Sequence, residues 1–481
     1  MTYDRTDITT AIETSRHDIG ALVDAHIGSQ ETPGLVAALF FKGEMLYFQG
    51  AGERELNGPA PDESTAFRVA SCTKSFTAAA ILLLRDRAEL TLDDPITQYL
   101  PTYRQVGPLA TYAPPTLRML LTMSAGFGTD DPWADREESI TPVRLEEHIT
   151  QGVYLVSTPG ARYEYSNLGY ALLGRVVELL SGLSFPQFVK QELFEPLGLT
   201  DSSFSLEESG APTVAVGYRR RGEEWLAQEF SAPGSFSSIG GVFSSARNLA
   251  TWANWLCEAL DSSAEEKGPL SLATRREMQQ MHVPMPFSSH AATTPDTTDR
   301  LFGYGYALHV DIDETFGKFV SHSGGYPGYS AHMRWHANSG LGVIVLENGR
   351  YSGAWATATT ILERVLVEIP SISPAPITET LNEFITRTSS LIGSWTDALA
   401  DELCAPNVAL DIPYSERATE IAACLDQVGG LNVITTVEVE LGESPLHARW
   451  VLPGQFGTLR CELRLTPVEP LRIQTLRVTV M

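Results

Sequence analysis

Lysine is nearly missing from this chain. Five of its 34 basic residues are lysines, against 59 acidic residues, and the formal net charge is −25. There is no polybasic tract. Nucleic-acid backbones and anionic membrane surfaces both need clustered Lys and Arg, so neither is expected as a partner. The acidity by itself serves solubility. Long apolar runs are also lacking. The longest candidate, "AAAILLLRD" (78–86), stops well short of the roughly 20 residues a membrane span requires, so none is expected. Cysteines are few: Cys72, Cys257, Cys404, Cys424 and Cys461 are odd in number and scattered, without a Cys-x-x-Cys. That pattern excludes a disulfide framework and reads as free buried thiols in a reducing compartment. The first 28 residues, "MTYDRTDITTAIETSRHDIGALVDAHIG", have no basic-then-apolar stretch. Ile8, Ile12, Ile19, Leu22 and Val23 recur near helical spacing, so an amphipathic helix is expected, with no secretory signal and a cytoplasmic location.

What is present is ordinary soluble-protein composition, 43% hydrophobic and 19% charged, over 481 residues, a length that suggests more than one domain. Residues 34–52 read as two strands around Lys42-Gly43-Glu44. Residues 71–86 read as a helix that is apolar nearly all round and therefore central. From about 90 to 300 the pattern is helical and loop-rich. Strands return in "GYGYALHVDI" (303–312), "KFVSHSGG" (318–325) and "SAHMRWHANSGLGVIVLEN" (330–348), the last a hairpin with Asn-Ser-Gly at its turn. A helix, "AWATATTILERVLVEI", follows. The expected fold is α/β (α+β): an antiparallel sheet flanked by helices, with an all-helical subdomain, spanning residues 1–369. The proline-rich "PSISPAPI" (370–377) reads as a linker. Residues 377–481 read as a small α+β domain. It opens with one helix over "TETLNEFITRTSSLIGSWTDALADELC" (378–404) and closes with strands in which Leu459, Cys461, Leu463 and Leu465 alternate with polar residues. It carries no constellation of chemical groups.

One lysine stands out. In "RVASCTKSFTAAAILLLRDRAEL" (68–90), Lys74 lies one helical turn after Ser71, at the mouth of the apolar helix. There the serine N–H points to the positive end of a helix dipole. An apolar helix body would desolvate the amine and lower its pKa, which turns a lysine into a base near neutral pH. The competing reading is a helix-capping serine beside a solvated lysine. Ser-x-x-Lys alone is a cheap motif, and so is His-x-Gly, which occurs both at His322-Ser323-Gly324 and at His26-Ile27-Gly28. Their order is informative. Ser71-x-x-Lys74 opens a buried helix, Tyr165-Ser166-Asn167 follows about 90 residues later, and His322-x-Gly324-Gly325 ends a late strand.

In that order the chain resembles the penicillin-recognising serine hydrolases: class C β-lactamases, D-Ala-D-Ala carboxypeptidases, D-aminopeptidases, β-lactamase-like esterases and 6-aminohexanoate-dimer hydrolases. The resemblance covers roughly residues 8–368 and includes "LRMLLTMSAGFG" and "GGVFSSARNLATW". It departs at Met123, where the family typically has histidine. It implies a β-lactamase/transpeptidase-like fold with Ser71 as nucleophile, Lys74 holding or taking its proton, and Tyr165 as partner base and then acid. It implies Asn167 bonded to Lys74 and to substrate, and an oxyanion hole from the N–H groups of Ser71 and Gly325, with Gly324 admitting a close strand approach. Whether Lys74 or Tyr165 is the acylation base stays open.

Other signals are weaker. Gly-x-Ser-x-Gly is absent, "GYSAH" (328–332) being a near miss. His332 and His336 share a strand face but more readily serve the core than a metal, and no metal or cofactor is expected. Trp133 is read as packing beneath a loop, and Cys72 as core. The expected function is hydrolysis of a small-molecule ester or amide through an acyl-enzyme, as an esterase or a D-amino-acid or short-peptide amidase. The alternatives are a β-lactamase or D-Ala-D-Ala carboxypeptidase, and a non-catalytic sensor or scaffold on the same fold; a homo-oligomer is compatible with the sequence. His322, in place of the lysine common in β-lactamases, is expected to tune carboxylate recognition by titrating between pH 6 and 8.

Overall fold

The segment "GLVAALFF" has no polar position, and the computed structural model, which describes residues 3–207, 210–286, 300–369, 378–432, 438–441 and 444–481, shows why. It forms strand β1 (Gly34–Phe41), inside an eight-stranded sheet and buried along its whole length. A helix α1 (Arg5–Gly28) precedes it, burying Ile8, Ile12, Ile19 and Val23. A tight turn with Lys42 and Gly43 both at positive φ (47° and 82°) leads into β2 (Glu44–Gly52). Then come α2 (Thr73–Asp86), α3 (Asn167–Ser181) and α4 (Ala246–Glu258). The remaining strands are β3 (Val283–Pro284), β4 (Arg300–Tyr304), β5 (His309–Asp313), β6 (Gly317–Tyr326), β7 (Tyr329–His336) and β8 (Leu341–Glu347), followed by α5 (Ala354–Leu366).

The sheet order is β2-β1-β8-β7-β6-β5-β4-β3, with every neighbouring pair antiparallel. Leu35, Ala37, Leu39 and Phe41 face α1 and α5, together with Val343 and Val345. Val36, Ala38 and Phe40 face the larger core built around α2, α3 and α4. A sheet covered on both faces has no solvent side, so its central strands do not alternate. Helix α2 is enclosed too: every residue from Thr73 to Leu84 is buried.

Three readings from sequence are refined. "GYGYALHVDI" is not one strand: β4 ends at Tyr304 and β5 begins at His309. Between them Gly305 passes so close to the Met278 carbonyl that a Cβ would lie 2.2 Å from its oxygen. The helical region also holds short strands: Phe243–Ser245, which pairs with Ala66–Arg68 ahead of the region, and the hairpin Tyr218–Arg221/Glu224–Ala227. The helix expected over 378–404 is two. α6 (Glu379–Gly393) ends at a glycine, and α7 (Asp397–Leu403) starts afresh where the Thr396 side chain accepts the Leu399 N–H.

The chain divides into two compact units, Thr2–Pro370 and Ser371–Met481. The segment read as a linker, 370–377, lies outside the described residues. The second unit continues with α8 (Asn407–Asp411) and α9 (Tyr414–Val428). It ends in a four-stranded antiparallel sheet, β9 (Glu438–Leu441), β10 (His447–Pro453), β11 (Thr458–Leu465) and β12 (Ile473–Val480). Leu459, Cys461, Leu463 and Leu465 of β11 are all buried, as their alternation predicts. Both units are mixed α and β with antiparallel sheets, which is the fold class expected. Among the described residues no single helix is long and apolar enough to cross a membrane.

Candidate active site

Ser71 sits in a one-turn 3-10 helix, Ala70–Cys72, that leads directly into α2. Ala70 before it has φ +49°, a left-handed conformation that costs energy for any residue with a Cβ and collects at functional sites. Lys74 is 0% exposed, which rules out the solvated-lysine reading. Its Nζ donates to Ser71 Oγ at 2.9 Å and to the Ile239 carbonyl at 2.8 Å. Burial pulls its pKa down to about 8, against the opposing pull of Asp131, Asp135 and Asp130. The turn is fixed from the side. Val69 N–H donates to the Val242 carbonyl at 2.9 Å, Val242 N–H to Thr73 Oγ1 at 3.1 Å, and Thr77 Oγ1 to the Ser238 carbonyl at 2.7 Å.

Tyr165 joins this pair. Its ring lies 5.2 Å, centroid to Nζ, from Lys74, and Ser71 is among the groups that act on its hydroxyl. Burial, reinforced by the charge of Asp131, holds its pKa well above the usual phenol value, so it is a phenol and not a phenolate. Met123, itself at φ +55°, holds the segment: its carbonyl accepts Glu164 N–H at 2.7 Å, and its sulfur lies 3.3 Å from Ser166 N–H as acceptor. A thioether thus supports the tyrosine segment at the position where the resemblance leads one to look for histidine.

Asn167 opens α3 but does not bond Lys74 as the resemblance implies. Its Nδ2 donates to Asp131 at 2.6 Å and to Asp130 at 3.2 Å, while the lysine bonds Ser71 and the Ile239 carbonyl instead. Asp130 caps α3 from a distant loop, accepting Asn167 N–H at 2.7 Å and Leu168 N–H at 2.8 Å.

The end of β6 completes the group. The β5–β6 ladder stops at His309 opposite Ser321, so 322–326 pair only with β7. Gly324 runs against the nucleophile turn: a Cβ there would lie 2.3 Å from the Val69 carbonyl oxygen. Gly325 is covered by Tyr351, whose ring stands 2.0 Å from where a Cβ would be. His322 corrects an expectation. It is 1% exposed, with Nδ1 2.6 Å from the Ser323 carbonyl and Nε2 3.0 Å from the Tyr304 hydroxyl. A carbonyl cannot donate, so Nδ1 carries the proton and Nε2 accepts from Tyr304. Burial, with His309 and Lys74 nearby, pushes its pKa well below the usual imidazole value. It has no free donor for a carboxylate and no titration between pH 6 and 8.

The sequence reading missed the acidic side of this group. Asp135 is buried, accepts from the Tyr351 hydroxyl at 2.9 Å, and is raised to about 6 by that burial. "GTDDPWADREE" held the signal in its density of acids, but nothing local tied it to Lys74. The Ile239 carbonyl, a backbone group, left no signal. Trp133 is 40% exposed and meets Phe236 edge-on at 5.5 Å. His332 and His336 have separate partners, Ser323 at 2.8 Å and Ser339 at 2.9 Å. Among the described residues no group of three metal-binding side chains is found. Cys72, beside the serine, is pushed up to about 12 by burial and is inert at neutral pH.

A serine, a buried lysine and a tyrosine thus gather at the start of a central helix, against the end of an antiparallel strand. The Beta-lactamase family model matches residues 19–366, and the chain belongs to that family. Protein flp of Staphylococcus aureus (strain NCTC 8325 / PS 47) is 23% identical over 343 residues, 69% of this chain and 63% of its own length. Penicillin-binding protein 4* of Bacillus subtilis (strain 168) is 24% identical over 318 residues, 64% of this chain and 66% of its own. The chain thus spans 63% and 66% of these two relatives. Among solved structures, the octameric penicillin-binding protein homologue from Pyrococcus abyssi matches with a TM-score of 0.62 and 22% identity, covering 96% of this chain and 99% of its own. EstCE1, a hydrolase with promiscuous acyltransferase activity, matches with a TM-score of 0.60 and 18% identity over 76% of this chain and 99% of its own. A class C beta-lactamase matches with a TM-score of 0.59 and 14% identity over 78% of this chain and all of its own.

Proposed function

We propose that the protein is a serine hydrolase that cleaves an ester or amide through an acyl-enzyme on Ser71, as an esterase or a D-amino-acid or short-peptide amidase. The observation that carries this reading is the 2.9 Å contact between Ser71 Oγ and a fully buried Lys74. Family membership supports hydrolytic chemistry over a scaffold role. Two pKa directions favour Lys74 over Tyr165 as the base. The amine, near 8, is readily neutral, whereas the phenol is held protonated. In this reading neutral Lys74 takes the Ser71 proton as Oγ bonds to the carbonyl carbon. The carbonyl electrons move onto oxygen, held by the N–H groups of Ser71 and Gly325. The bond to the leaving group then breaks, and that group takes the Tyr165 proton, which Lys74 replaces. Water enters by the same path, passing its proton back, and releases the acid and Ser71.

An active-site fluorophosphonate should add one adduct by intact mass, absent in Ser71→Ala, and that variant should lose about four decades or more of turnover on p-nitrophenyl butyrate. No labelling of the wild type, or equal labelling of the variant, overturns the reading. The similarity to an octameric homologue over nearly the whole chain supports self-association, which light scattering on the purified protein tests.

A further inference from the structure

The wall beside Lys74 offers acceptors and almost no donors. Three carboxylates act on the lysine charge, and their duties differ. Asp130 is committed to capping α3. Asp131 accepts one bond, from Asn167 Nδ2 at 2.6 Å. Because a carboxylate oxygen accepts, this contact sets the amide with its nitrogen on Asp131 and its oxygen beside that bond. That oxygen, Oδ1, is buried on a residue 1% exposed and has no hydrogen-bond partner among the described residues. An unpaired buried acceptor beside Lys74 can be completed by a donor that the chain itself does not supply. Asp135 stands behind, bonded to the Tyr351 hydroxyl. Two cations act on these carboxylates: Lys74, neutral when it serves as base, and Arg350, an exposed side chain whose charge acts on Asp135. A buried amide oxygen next to a carboxylate calls for an N–H donor that also carries positive charge.

We propose that this wall binds a protonated amine on the acyl part of the substrate, with Asp131 and Asn167 Oδ1 accepting its N–H groups and Asp135 adding charge behind them. The substrate is then an amino-acyl ester or amide with a free amino group. The proposal rests on the acyl-enzyme reading of Ser71 and deepens it. A carboxylate in the same place meets Asp131 and Asp135 head-on, while His322 has no proton to offer it. An N-acylated amine keeps one N–H but loses the charge, so the discrimination falls on that difference.

The test compares kcat/KM for D-alanine p-nitroanilide with its N-acetyl counterpart at neutral pH, the L-isomers run alongside, and p-nitrophenyl butyrate as an uncharged ester. The free amine should be preferred by about tenfold or more, the worth of one charge-assisted bond. In Asp131→Asn that ratio should fall toward one, chiefly through a higher KM for the free amine. An N-acetyl substrate used as well as or better than the free amine overturns the proposal, as does an unchanged ratio in folded Asp131→Asn. The wild-type ratio decides the matter even if the variant does not fold. Failure to hydrolyse all the substrates, the butyrate ester included, instead overturns the acyl-enzyme reading.

Discussion

Arg68 and Lys74 flank the nucleophile turn, one before Ser71 and one after it, and the protein treats the two buried cations in opposite ways. Arg68 is 1% exposed and forms an ion pair with Glu138, itself 1% exposed. Its Nε donates to the Gly240 carbonyl at 3.1 Å, its guanidinium stacks 4.2 Å from the Tyr326 ring centroid, and the Tyr326 hydroxyl completes Glu138 at 2.6 Å. Lys74 takes the neighbouring carbonyl of the same short helix, Ile239, but its other contact is a neutral hydroxyl, with no carboxylate within ion-pair distance among the described residues. A guanidinium cannot shed its proton, so burying it demands a partner charge. An amine can, so burying it without one lowers its pKa. The pair teaches that Arg68 carries a permanent, compensated charge and Lys74 a removable one, as the proposed acyl-enzyme route requires of its base.

The sharpest way to break this comparison is to exchange each cation for an isosteric apolar side chain. Lys74→Met should lower kcat/KM for p-nitrophenyl butyrate by about a thousandfold, the usual range for removing a positioned base. It should leave urea stability within about 1 kcal/mol of wild type, because no buried charge loses its partner. Arg68→Met should do the reverse. It leaves Glu138 buried without a cation, and a loss of about 3–5 kcal/mol is expected in the same titration. Adding Glu138→Gln should restore part of that loss. Equal stability losses at the two positions would show that Lys74 is also structural.

The pH profile sharpens the distinction. If Lys74 is the base, as proposed, it acts as the neutral amine, so kcat/KM for an uncharged ester should rise with pH and level off above about 8, while protonation of the amine below that costs about tenfold per unit. His322 adds no second inflection near 6.5, since its buried ring stays neutral. A profile that is flat from about pH 6 to 9 would remove Lys74 from the role of base.

Much of this was legible from sequence, for identifiable reasons. "GLVAALFF" and the helix after Ser71 declare two-sided burial by lacking polar positions. Ser71, Lys74 and Tyr165 declare themselves by motif order, and the structure brings the three together. What escaped was set by tertiary contact. His322 looked like a pH switch because its spacing cannot show that Tyr304 and the Ser323 carbonyl take both its nitrogens. Tyr351 and Asp135 meet across a long stretch of chain, with no local pattern to join them. The hairpin at 218–227 went unread because Arg219, Arg220 and Arg221 mask a strand that is mostly solvent-facing. The break near Gly393 was visible in principle, as a glycine followed by the capping Thr396.

A half-buried histidine lies between the two extremes and gives the smallest effect. His26 Nε2 is 3.2 Å from Glu347, which is 0% exposed, and this contact raises the histidine pKa above its ordinary value. The folded state therefore holds its proton more tightly than the unfolded chain. The pair's contribution is complete below the unfolded value of about 6.5 and is lost as pH rises through the folded one. Thermal stability should thus decline slightly over that window, and His26→Gln should flatten the decline. A slope unchanged in the variant would assign it to another group.

The pairing of Leu35 with Glu347 also governs when the protein can exist at all. During synthesis β1 emerges early and must wait for β8, so α2 is made long before the sheet that covers it. Contacts this distant in sequence are slow to form, and an apolar helix left waiting is prone to aggregate. Until Glu347 has been made, the edge of β1 that pairs with β8 stays open. Ser71 gains its full surroundings only when β6 and β8 have closed the sheet.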